Sequence, residues 1–475
     1  MSRTFVSSSY GMTIQSITTL FAAGLLLVAL GCGGGANNSG GGGGGGGAST
    51  TATQVRMGDA PADRVIAFEV TVGPIILTPS SGAAVTVLST TRRLELTHLS
   101  GTNEPLALLK VPQGSYTSAT LTVASPEVVF INNLGQIVKL QPTFSEAVTV
   151  NFSPAFTVGA SAPVVNIDLN VANSLSFDAL GNVTGVNISG SSFGLSTATV
   201  AAAENEQEPE NGELEDMTGT VSSVSGTSFV LLAGMAGTSL TFTTDANTEF
   251  KDGATLATMA NTVVTVEGVT RSDGTLYAKE VEGVESAAGM EAEGLISQVT
   301  GNPATQLIFV ADDGSGSGMD DSKTGSSLTA DVSGAGYKVS KGNIDTSGIG
   351  GLPAPPNFPF DGSTVHAGQR VEIESGSAMS GTSVVAEKVK LNQQALSGTV
   401  SGLSGTAPTT FTLTVAADSA FAMLSGSTTV TIYWQSGSDL HNLAHALTNG
   451  DAVRVRGLLF FTGSKFNMIA RRITQ

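Results

Sequence analysis

The chain has a single cysteine, Cys32, among its 475 residues. A disulfide within the chain is therefore excluded, and the folded parts must be held by packing and hydrogen bonds. Charged residues are also scarce, at 13%, and the excess of acids gives a net charge of −18. Nucleic acid is excluded as a partner, as is polybasic binding to anionic lipid, because both require clustered Lys and Arg.

Long hydrophobic runs are few. Residues 20–31 (LFAAGLLLVALG) are too short to span a membrane comfortably, but they have the length of the apolar core of a secretory signal. No second run approaches the length of a membrane span. We therefore predict a signal peptide over residues 1–31, which starts at either Met1 or Met12.

Cys32 directly follows this run, and its position resembles the lipid-attachment site of bacterial lipoproteins, where the thiol receives a diacylglycerol. The resemblance implies secretion across the inner membrane and a membrane partner held through the lipid. Because Gly33 follows in place of Asp, it also implies the outer membrane, on the periplasmic or the surface face. The pattern departs at Ala29, where lipoproteins usually carry Leu, Val or Ile. The alternative is an ordinary signal peptide cut near Gly31, which leaves Cys32 a free thiol.

Two segments have compositions that exclude a packed core. Residues 32–52 are rich in glycine and predict a flexible tether behind the lipidated cysteine. Residues 201–216 end in a stretch with seven acids and no base, and they predict a solvated, self-repelling linker. These segments separate an N-terminal domain, residues 53–200, from a C-terminal part.

The N-terminal domain has the pattern of many short strands. Apolar residues alternate with others from Ile66 to Val72, which is typical of a strand with one buried face, and further short runs follow between polar turns. We predict a β-sandwich. Residues 58–63 (GDAPAD) and 111–117 (VPQGSYT) make it resemble an uncharacterised family of bacterial and archaeal lipoprotein domains. We interpret Asp59 and Asp63 as turn residues, with a cation site as the alternative.

The C-terminal part is a threefold repeat in sequence. Each unit opens on a strand that begins with Gly, continues with an alternating strand and ends on a related strand. These three strands are residues 219–221, 264–267 and 278–281 in the first unit, 294–296, 371–374 and 386–389 in the second, and 398–400, 453–456 and 470–473 in the third. Three anchors in one order are not expected by chance. The predicted units are residues 217–290, 291–394 with a mobile insertion at 312–363, and 395–475.

The third unit shows the expected plan most clearly. We expect three strands, then a helix at residues 439–447, then two final strands, which is the order of an OB-fold barrel. The helix would place Leu440, Leu443 and Leu447 on one face. The first unit fits with Leu256 and Met259 in its helix. The units resemble a second uncharacterised bacterial domain family. The predicted fold is therefore all-β: a β-sandwich followed by three five-stranded OB-like barrels, each with at most one short helix.

Three patterns suggest chemistry and are rejected. His441 and His445 have helical spacing, but Asn442 stands where a zinc protease needs Glu, and two ligands do not make a zinc site. Residues 190–194 (GSSFG) match a hydrolase motif outside the strand–helix elbow that the motif requires. Asp312, Asp313, Asp320 and Asp321 match no known calcium loop, so we interpret them as solvated acids of a glycine-rich loop, with calcium binding as the alternative. No catalytic residue, metal site or cofactor is predicted.

Tyr433 and Trp434 are rare aromatic residues in a chain where aromatics make up 5%. Neighbouring strand residues face opposite sides, so we expect one of them in the core and the other free to contact a ligand. The predicted role is non-enzymatic binding or scaffolding, with a glycan or an envelope protein as possible partner. The alternative is an extracellular hydrolase of polysaccharide or peptide with a loop-built site. A clefted carboxylate cluster with perturbed pKa values would favour the hydrolase, and an exposed aromatic groove would favour binding.

Overall fold

Strands dominate the chain. In the computed structural model the described residues are 49–60, 63–97, 104–160, 163–199, 213–233, 238–271, 273–283, 289–340, 344, 358–441 and 443–475. They include two α-helices, α1 (Val171–Ser174) and α2 (Ala420–Ser425). Within these residues no helix is long and apolar enough to cross a membrane. The predicted all-β class is confirmed. The signal peptide, Cys32 and the tether up to residue 48 lie outside the described residues.

The N-terminal domain consists of two large sheets that face each other across one core, together with a small two-stranded sheet. Its strands are β1 (Thr50–Ala60), β2 (Val65–Pro79), β3 (Val85–Leu88), β4 (Arg92–Glu95), β5 (Glu104–Pro112), β6 (Gly114–Ile131), β7 (Ile137–Leu140), β8 (Ser145–Val158), β9 (Pro163–Asn170), β10 (Leu175–Phe177), β11 (Val183–Val186) and β12 (Phe193–Thr199). One sheet has the order β12-β9-β1-β5. The other has the order β3-β2-β6-β7, with β4 on β2 and β8 on β6, and the small sheet is β10-β11. Side chains such as Phe68, Ile75, Phe130 and Val165 fill the space between the two large sheets.

The segment 111–117, which joins β5 to β6, has a structural role. Tyr116 is buried, and its hydroxyl donates a hydrogen bond of 2.8 Å to the carbonyl of Pro112, across the turn from β5. A buried tyrosine whose hydroxyl is satisfied fixes the angle between two strands without leaving a polar group unpaired. Residues 111–117 therefore stabilise the sandwich.

Two closed five-stranded barrels follow, and we call them the first and the last barrel. The first consists of β13 (Glu213–Ser225), β14 (Ser228–Ala233), β15 (Thr238–Thr243), β17 (Val263–Thr270) and β18 (Leu276–Gly283), with β16 (Glu249–Lys251) added beside β18. The last consists of β26 (Gln393–Ser401), β27 (Thr409–Thr414), β28 (Thr429–Trp434), β30 (Ala452–Thr462) and β31 (Lys465–Thr474), with β29 (Asp439–His441) beside β31. Each barrel closes by parallel pairing of its third and fifth strands, the order expected for an OB-fold.

Between the barrels lies a seven-stranded sheet, which we call the middle sheet. Its strands are β19 (Met290–Gly301), β20 (Ala304–Gly316), β21 (Ser327–Asp331), β22 (Gly336–Val339), β23 (Arg370–Ser375), β24 (Ser383–Val385) and β25 (Lys388–Leu391). The order is β22-β25-β23-β19-β20-β21-β24. In place of one closing strand it has two, β24 on β21 and β25 on β23, separated by Ala386 and Glu387. The sequence predicts a closed barrel for this second unit as well, but the strand that would close it is interrupted.

Glycines explain where the strands can bend. A Cβ at Gly219, Gly294 or Gly398 would lie within 2.5 Å of a carbonyl oxygen on the next strand, so only glycine fits at these positions inside β13, β19 and β26. Gly268 and Gly457 sit at β-bulges in the fourth strands of the two closed barrels. A bulge bends its strand. The middle sheet has Ser375 at this position and no register shift between β23 and β25.

The helix predicted for residues 439–447 is wrong. Residues 439–441 form strand β29, because they pair with the edge of β31, where Asp439 accepts a hydrogen bond of 2.9 Å from Arg472 Nε. Leu447 and Leu443 still pack against the barrel core, whereas Leu440 is 42% exposed. In the first barrel, turns replace the predicted helix, and Leu256 and Met259 pack against the core from these turns.

The last barrel instead carries α2, between its second and third strands. The hydroxyl of Ser419 accepts a hydrogen bond from the Ala422 amide at the N-terminus, and Gly426 closes the C-terminus in the left-handed region. Phe421 packs into the barrel, while Ala420 faces Ile66 of the sandwich. The helix α2 therefore packs against both the last barrel and the sandwich.

Two further expectations were wrong in part. The insertion predicted to be mobile at 312–363 is partly ordered: residues 312–316 extend β20, and β21 and β22 follow before residue 340. Leu328 and Ala330 of β21 pack into the core at alternate positions. Glu213 to Asp216 belong to β13 and not to the linker, because Leu214 is buried in the first barrel. The predicted domain boundaries otherwise stay predictions.

Candidate functional site

A charged cleft of about 400 Å³ opens between the first barrel and the middle sheet. Polar and charged side chains form almost all of its lining: Lys251, Asp252, Thr265, Glu267, Glu280 and Glu282 from the first barrel, and Lys338, Val339, Ser340 and Lys390 from the middle sheet. Its described lining residues include no aromatic ring. Such a cleft favours a polar or charged ligand over an apolar one.

Strand alternation places these charges. In β23, Glu372 and Glu374 are two residues apart and so share one face of the strand. Lys390 and Lys388 share the matching face of β25 and lie opposite the two glutamates in the register. Cross-strand pairs of opposite charge stabilise a sheet. The middle sheet therefore carries a block of two acids and two bases towards the first barrel.

Lys390 is the centre of this block. Its Nζ lies 2.8 Å from Glu372, 2.7 Å from Glu374 and 3.4 Å from Glu282 of the first barrel. Lys390 and both glutamates of the middle sheet are only 3% exposed. A buried ammonium group needs this number of partners, because the loss of hydration is otherwise not offset. Lys390 thus links the two bodies through charge.

A second link lies beside it. Asp252 of the first barrel forms ion pairs with Lys338 and, at 3.3 Å, with Lys388. Deeper in the joint, the Thr218 hydroxyl donates a hydrogen bond of 2.8 Å to Oε1 of Glu291. Glu291 is 1% exposed, and its Oε2 has no hydrogen-bond partner within the described part of the chain. These contacts between the first barrel and the middle sheet are polar or charged.

Three buried residues in this joint, Glu372, Glu291 and Lys390, have raised pKa values. Burial raises the pKa of Glu372 to about 7, although Lys390 opposes the shift. Burial, together with the nearby Glu372, also raises the pKa of Glu291 well above its ordinary value. Burial disfavours the charged form of Lys390, but the carboxylates of Glu372 and Glu291 outweigh it and raise the pKa of Lys390.

Asp252 and Glu282 form a carboxyl pair at the open side of the cleft. The hydrogen bond from Lys338 lowers the pKa of Asp252, and its hydrogen bond with Glu282 adds to the effect. Burial raises the pKa of Glu282, and the neighbouring Asp252 adds to the rise. Two adjacent carboxyl groups with opposite shifts can act as an acid and a base in a reaction. Here each of them also has a lysine within 4 Å.

Tyr433 and Trp434 do not form an exposed groove. Trp434 lies in the core of the last barrel. Tyr433 faces outward, but its ring centroid lies 5.1 Å from that of Phe358, and Tyr433 is only partly exposed. Among the described residues, the large hydrophobic side chains that are exposed are Leu134, Leu180, Val385 and Leu440. The contact of Tyr433 and Trp434 with a ligand stays a prediction.

The rejected patterns have structural roles wherever the chain is described. Ser192 of the 190–194 motif is buried, and its hydroxyl accepts a hydrogen bond from the Ser189 amide. Asp312 is fully buried in an ion pair of 2.7 Å with Arg370, and Asp320 caps the short helix at 321–323. The helix that would align His441 with His445 is absent. The described residues contain no group of three or more ligand side chains suited to a metal.

A smaller cavity of about 100 Å³ lies where the sandwich, the middle sheet and the last barrel meet. Ile66, Leu295, Phe421, Gln393 and Arg456 are among its lining residues. Oε1 of Gln393 has no hydrogen-bond partner among the residues that the structure describes. Its volume suits a few water molecules, so it is too small to be a site for a large ligand.

Sequence reasoning missed the charged cleft, although its signal was present. Residues 371–374 and 386–389 were identified only as repeat anchors. In a chain with so few charges, two acids at alternate positions of one strand and two lysines at alternate positions of the next indicate a paired charged face. The partners from the first barrel could not be assigned, since they depend on how the two bodies pack.

Comparison with known proteins gives one family. A profile described as Domain of unknown function (DUF5666) matches residues 218–282. The match begins in β13 and ends in β18, so it covers the first barrel and the side of the cleft that this barrel forms. No curated protein matches the chain. The chain thus contains an uncharacterised domain within an all-β, multidomain fold.

Proposed function

We propose that this protein is a lipid-anchored protein of the bacterial envelope that binds a charged ligand without catalysis. In this proposal Cys32 carries the lipid at the outer membrane, the sandwich belongs to the uncharacterised lipoprotein-domain family, and the first barrel, middle sheet and last barrel are three copies of one OB-like unit. The proposed ligand site is the cleft between the first barrel and the middle sheet.

The observation that carries the binding role is the pairing of charges in the cleft. Lys251 is paired with Glu280 at 2.6 Å, and Lys338 is paired with Asp252, yet each lysine side chain keeps 42% of its surface exposed. Paired but accessible charges can contact a ligand that carries both signs. A charged glycan with amino and carboxylate groups matches this lining better than a neutral one, because no aromatic ring is present for stacking.

A glycan array tests this role. The full chain with Cys32→Ser is applied to charged and neutral glycans, together with a Lys338→Met variant and the matched control Lys110→Met, since Lys110 is exposed on the sandwich. We expect retention on charged glycans that is lost with Lys338→Met and kept with Lys110→Met. Equal retention of both variants, or no retention of the chain on charged glycans, would contradict the proposed cleft.

The second candidate is an extracellular hydrolase, and the Asp252–Glu282 pair favours it. Its opposite pKa shifts are those of an acid and a base in one cleft. Glu372 and Glu291 also have raised pKa values, but their burial keeps them away from any substrate. Hydrolysis of a polysaccharide or peptide by the chain, abolished in both Glu282→Gln and Asp252→Asn, would establish this candidate in place of binding.

A further inference from the structure

The joint between the first barrel and the middle sheet holds more carboxyl groups than ammonium groups. The acids of the connected cluster are Asp252, Glu282, Glu291, Glu372 and Glu374, and the bases are Lys338, Lys388 and Lys390. The acids thus exceed the bases by two. Uncompensated carboxylates are costly in a buried site, and such a group takes up a proton in preference to staying charged.

The geometry indicates where these protons reside. Glu291 accepts a hydrogen bond from Thr218 on one oxygen, while its other oxygen is buried with no hydrogen-bond partner in the described residues. Glu372 and Glu374 both approach the single Nζ of Lys390 within 3 Å. Glu374 also lies 3.4 Å from Lys388, and Glu282 lies 3.9 Å from Lys338, whereas Glu372 shares the single ammonium group of Lys390 with both of them. Glu291 and Glu372 are therefore the groups best placed to be protonated.

We propose that this joint is a proton-binding site that holds the first barrel on the middle sheet at acidic pH and loosens as the pH rises through neutrality. The inference goes beyond the proposed binding role and does not depend on any ligand. An envelope protein would experience external pH directly, so such a joint would couple the cleft geometry to the surroundings.

The other charged groups around the cluster are internally paired. Glu280 of β18 pairs with Lys251, and Glu293 of β19 pairs with Arg370 and accepts a hydrogen bond of 2.9 Å from Asn392. Glu267 of β17 also faces the cleft and has interactions of its own. From β13 and β17 the nearest polar groups are the hydroxyls of Thr218 and Thr265, which hydrogen-bond to each other at 3.0 Å and do not titrate.

The direction of the pH effect follows from linkage. Burial raises the pKa of Glu372 to about 7 in the folded chain, above the ordinary value of about 4.3 expected when the joint opens. The closed joint then binds more protons than the open one between these two values. The contribution of Glu372 to the stability of the joint is complete below about pH 4.3, and it is lost as the pH rises to about 7. Glu291 extends the loss to higher pH.

Hydrogen exchange measures this directly. Protection factors of amides in β18 and β25 are followed from pH 5 to 8.5 in the full chain with Cys32→Ser. We expect a fall of about tenfold per pH unit for each linked proton up to pH 7, whereas amides of β9 in the sandwich change less. Glu372→Gln mimics the protonated acid, so it should keep β18 and β25 protected above pH 7. The matched control Glu146→Gln alters an exposed acid and should follow the parent chain.

Either of two results would overturn the inference: constant protection of β18 and β25 in the parent chain, or a Glu372→Gln profile that follows the parent. If Glu372→Gln does not fold, infrared spectra of the parent chain in D2O test the inference by showing whether a buried carboxyl group is protonated. A carboxylic acid band that persists at pH 6 and disappears by pH 8.5 supports the inference, since ordinary glutamates are ionised at pH 6. The absence of this band at pH 6 refutes it.

Discussion

Glu372 and Lys390 lie opposite each other on neighbouring strands of the middle sheet and form a buried ion pair of 2.8 Å. Lys390 also reaches Glu282 of the first barrel at 3.4 Å. The contact between the two bodies therefore depends on charge and not on a continuous apolar core. A joint of this kind responds to removal of one charge and to pH more strongly than an apolar joint does.

Replacing Lys390 with Met should destabilise the chain strongly. The substitution leaves Glu372 and Glu374 buried without their shared cation, and breaking a buried pair in this way typically costs about 3–5 kcal/mol. The loss should be smaller at pH 5, because burial raises the pKa of Glu372 to about 7 and Glu372 is then protonated. Chemical denaturation at pH 5 and pH 8 measures it. Lys110→Met, on the exposed surface, should change stability by less than about 0.5 kcal/mol. A loss for Lys390→Met that is equally small at both pH values would contradict the electrostatic joint.

Gly457→Ala should destabilise the last barrel. Its Cβ would lie 2.0 Å from the carbonyl oxygen of Ile469, at the bulge that bends β30. Forcing extra atoms into such a contact typically costs about 1–3 kcal/mol. Thermal unfolding monitored by Trp434 fluorescence reports on this barrel, because Trp434 lies in its core. Gly437→Ala is the control, since a Cβ there meets no atom within 4 Å. Equal melting temperatures for the two variants would refute the role of the bulge.

Leu447 and Leu440 should differ sharply in a matched pair of truncations. Leu447 is 7% exposed and packs in the barrel core, so Leu447→Ala should cost about 2–5 kcal/mol. Leu440 is 42% exposed on β29, so Leu440→Ala should be nearly neutral. A helix over residues 439–447 would instead bury both side chains on one face. Similar losses in the melting temperature for both variants would therefore favour the helix over β29.

Much of the fold could be predicted from local patterns, because strand alternation and turn residues act over a few positions. The repeated glycines at 219, 294 and 398 each lie in a strand as expected, but inside it and not at its start, because the strands extend several residues further towards the N-terminus. The helix at 439–447 was wrong because leucine spacing alone cannot show that Asp439 pairs with Arg472 on the neighbouring strand. Ser419 and Gly426 flank α2 as its caps, so this helix could have been read from the sequence.

The charged cleft could not be predicted in the same way. Alternation gives the face of each strand, and so it could have shown that Glu372, Glu374, Lys388 and Lys390 form one charged face. It cannot show that Glu282 and Asp252 approach this face from another body. Nor can it give the pKa of Glu372, which depends on burial in the joint.

Cys32→Ser should release the protein from the membrane while leaving it folded. Two acyl chains anchor a protein stably, whereas the tether and the acidic surface have no affinity for anionic lipid. Membrane fractionation and the intact mass of the mature N-terminus measure the anchor. If the parent protein is found soluble with an N-terminus that lacks acyl mass, the lipoprotein proposal is wrong.

Binding and turnover measured on the same glycan test the proposed role of the cleft most directly. A charged glycan retained on the array is titrated by calorimetry into the full chain with Cys32→Ser, and the glycan is then recovered for mass spectrometry. We predict that it is recovered intact and that Lys338→Met weakens binding at least about tenfold, equivalent to about 1.4 kcal/mol, while Lys110→Met leaves it unchanged. A cleaved glycan, or affinity that Lys338→Met does not alter, would contradict a non-catalytic binding cleft between the first barrel and the middle sheet.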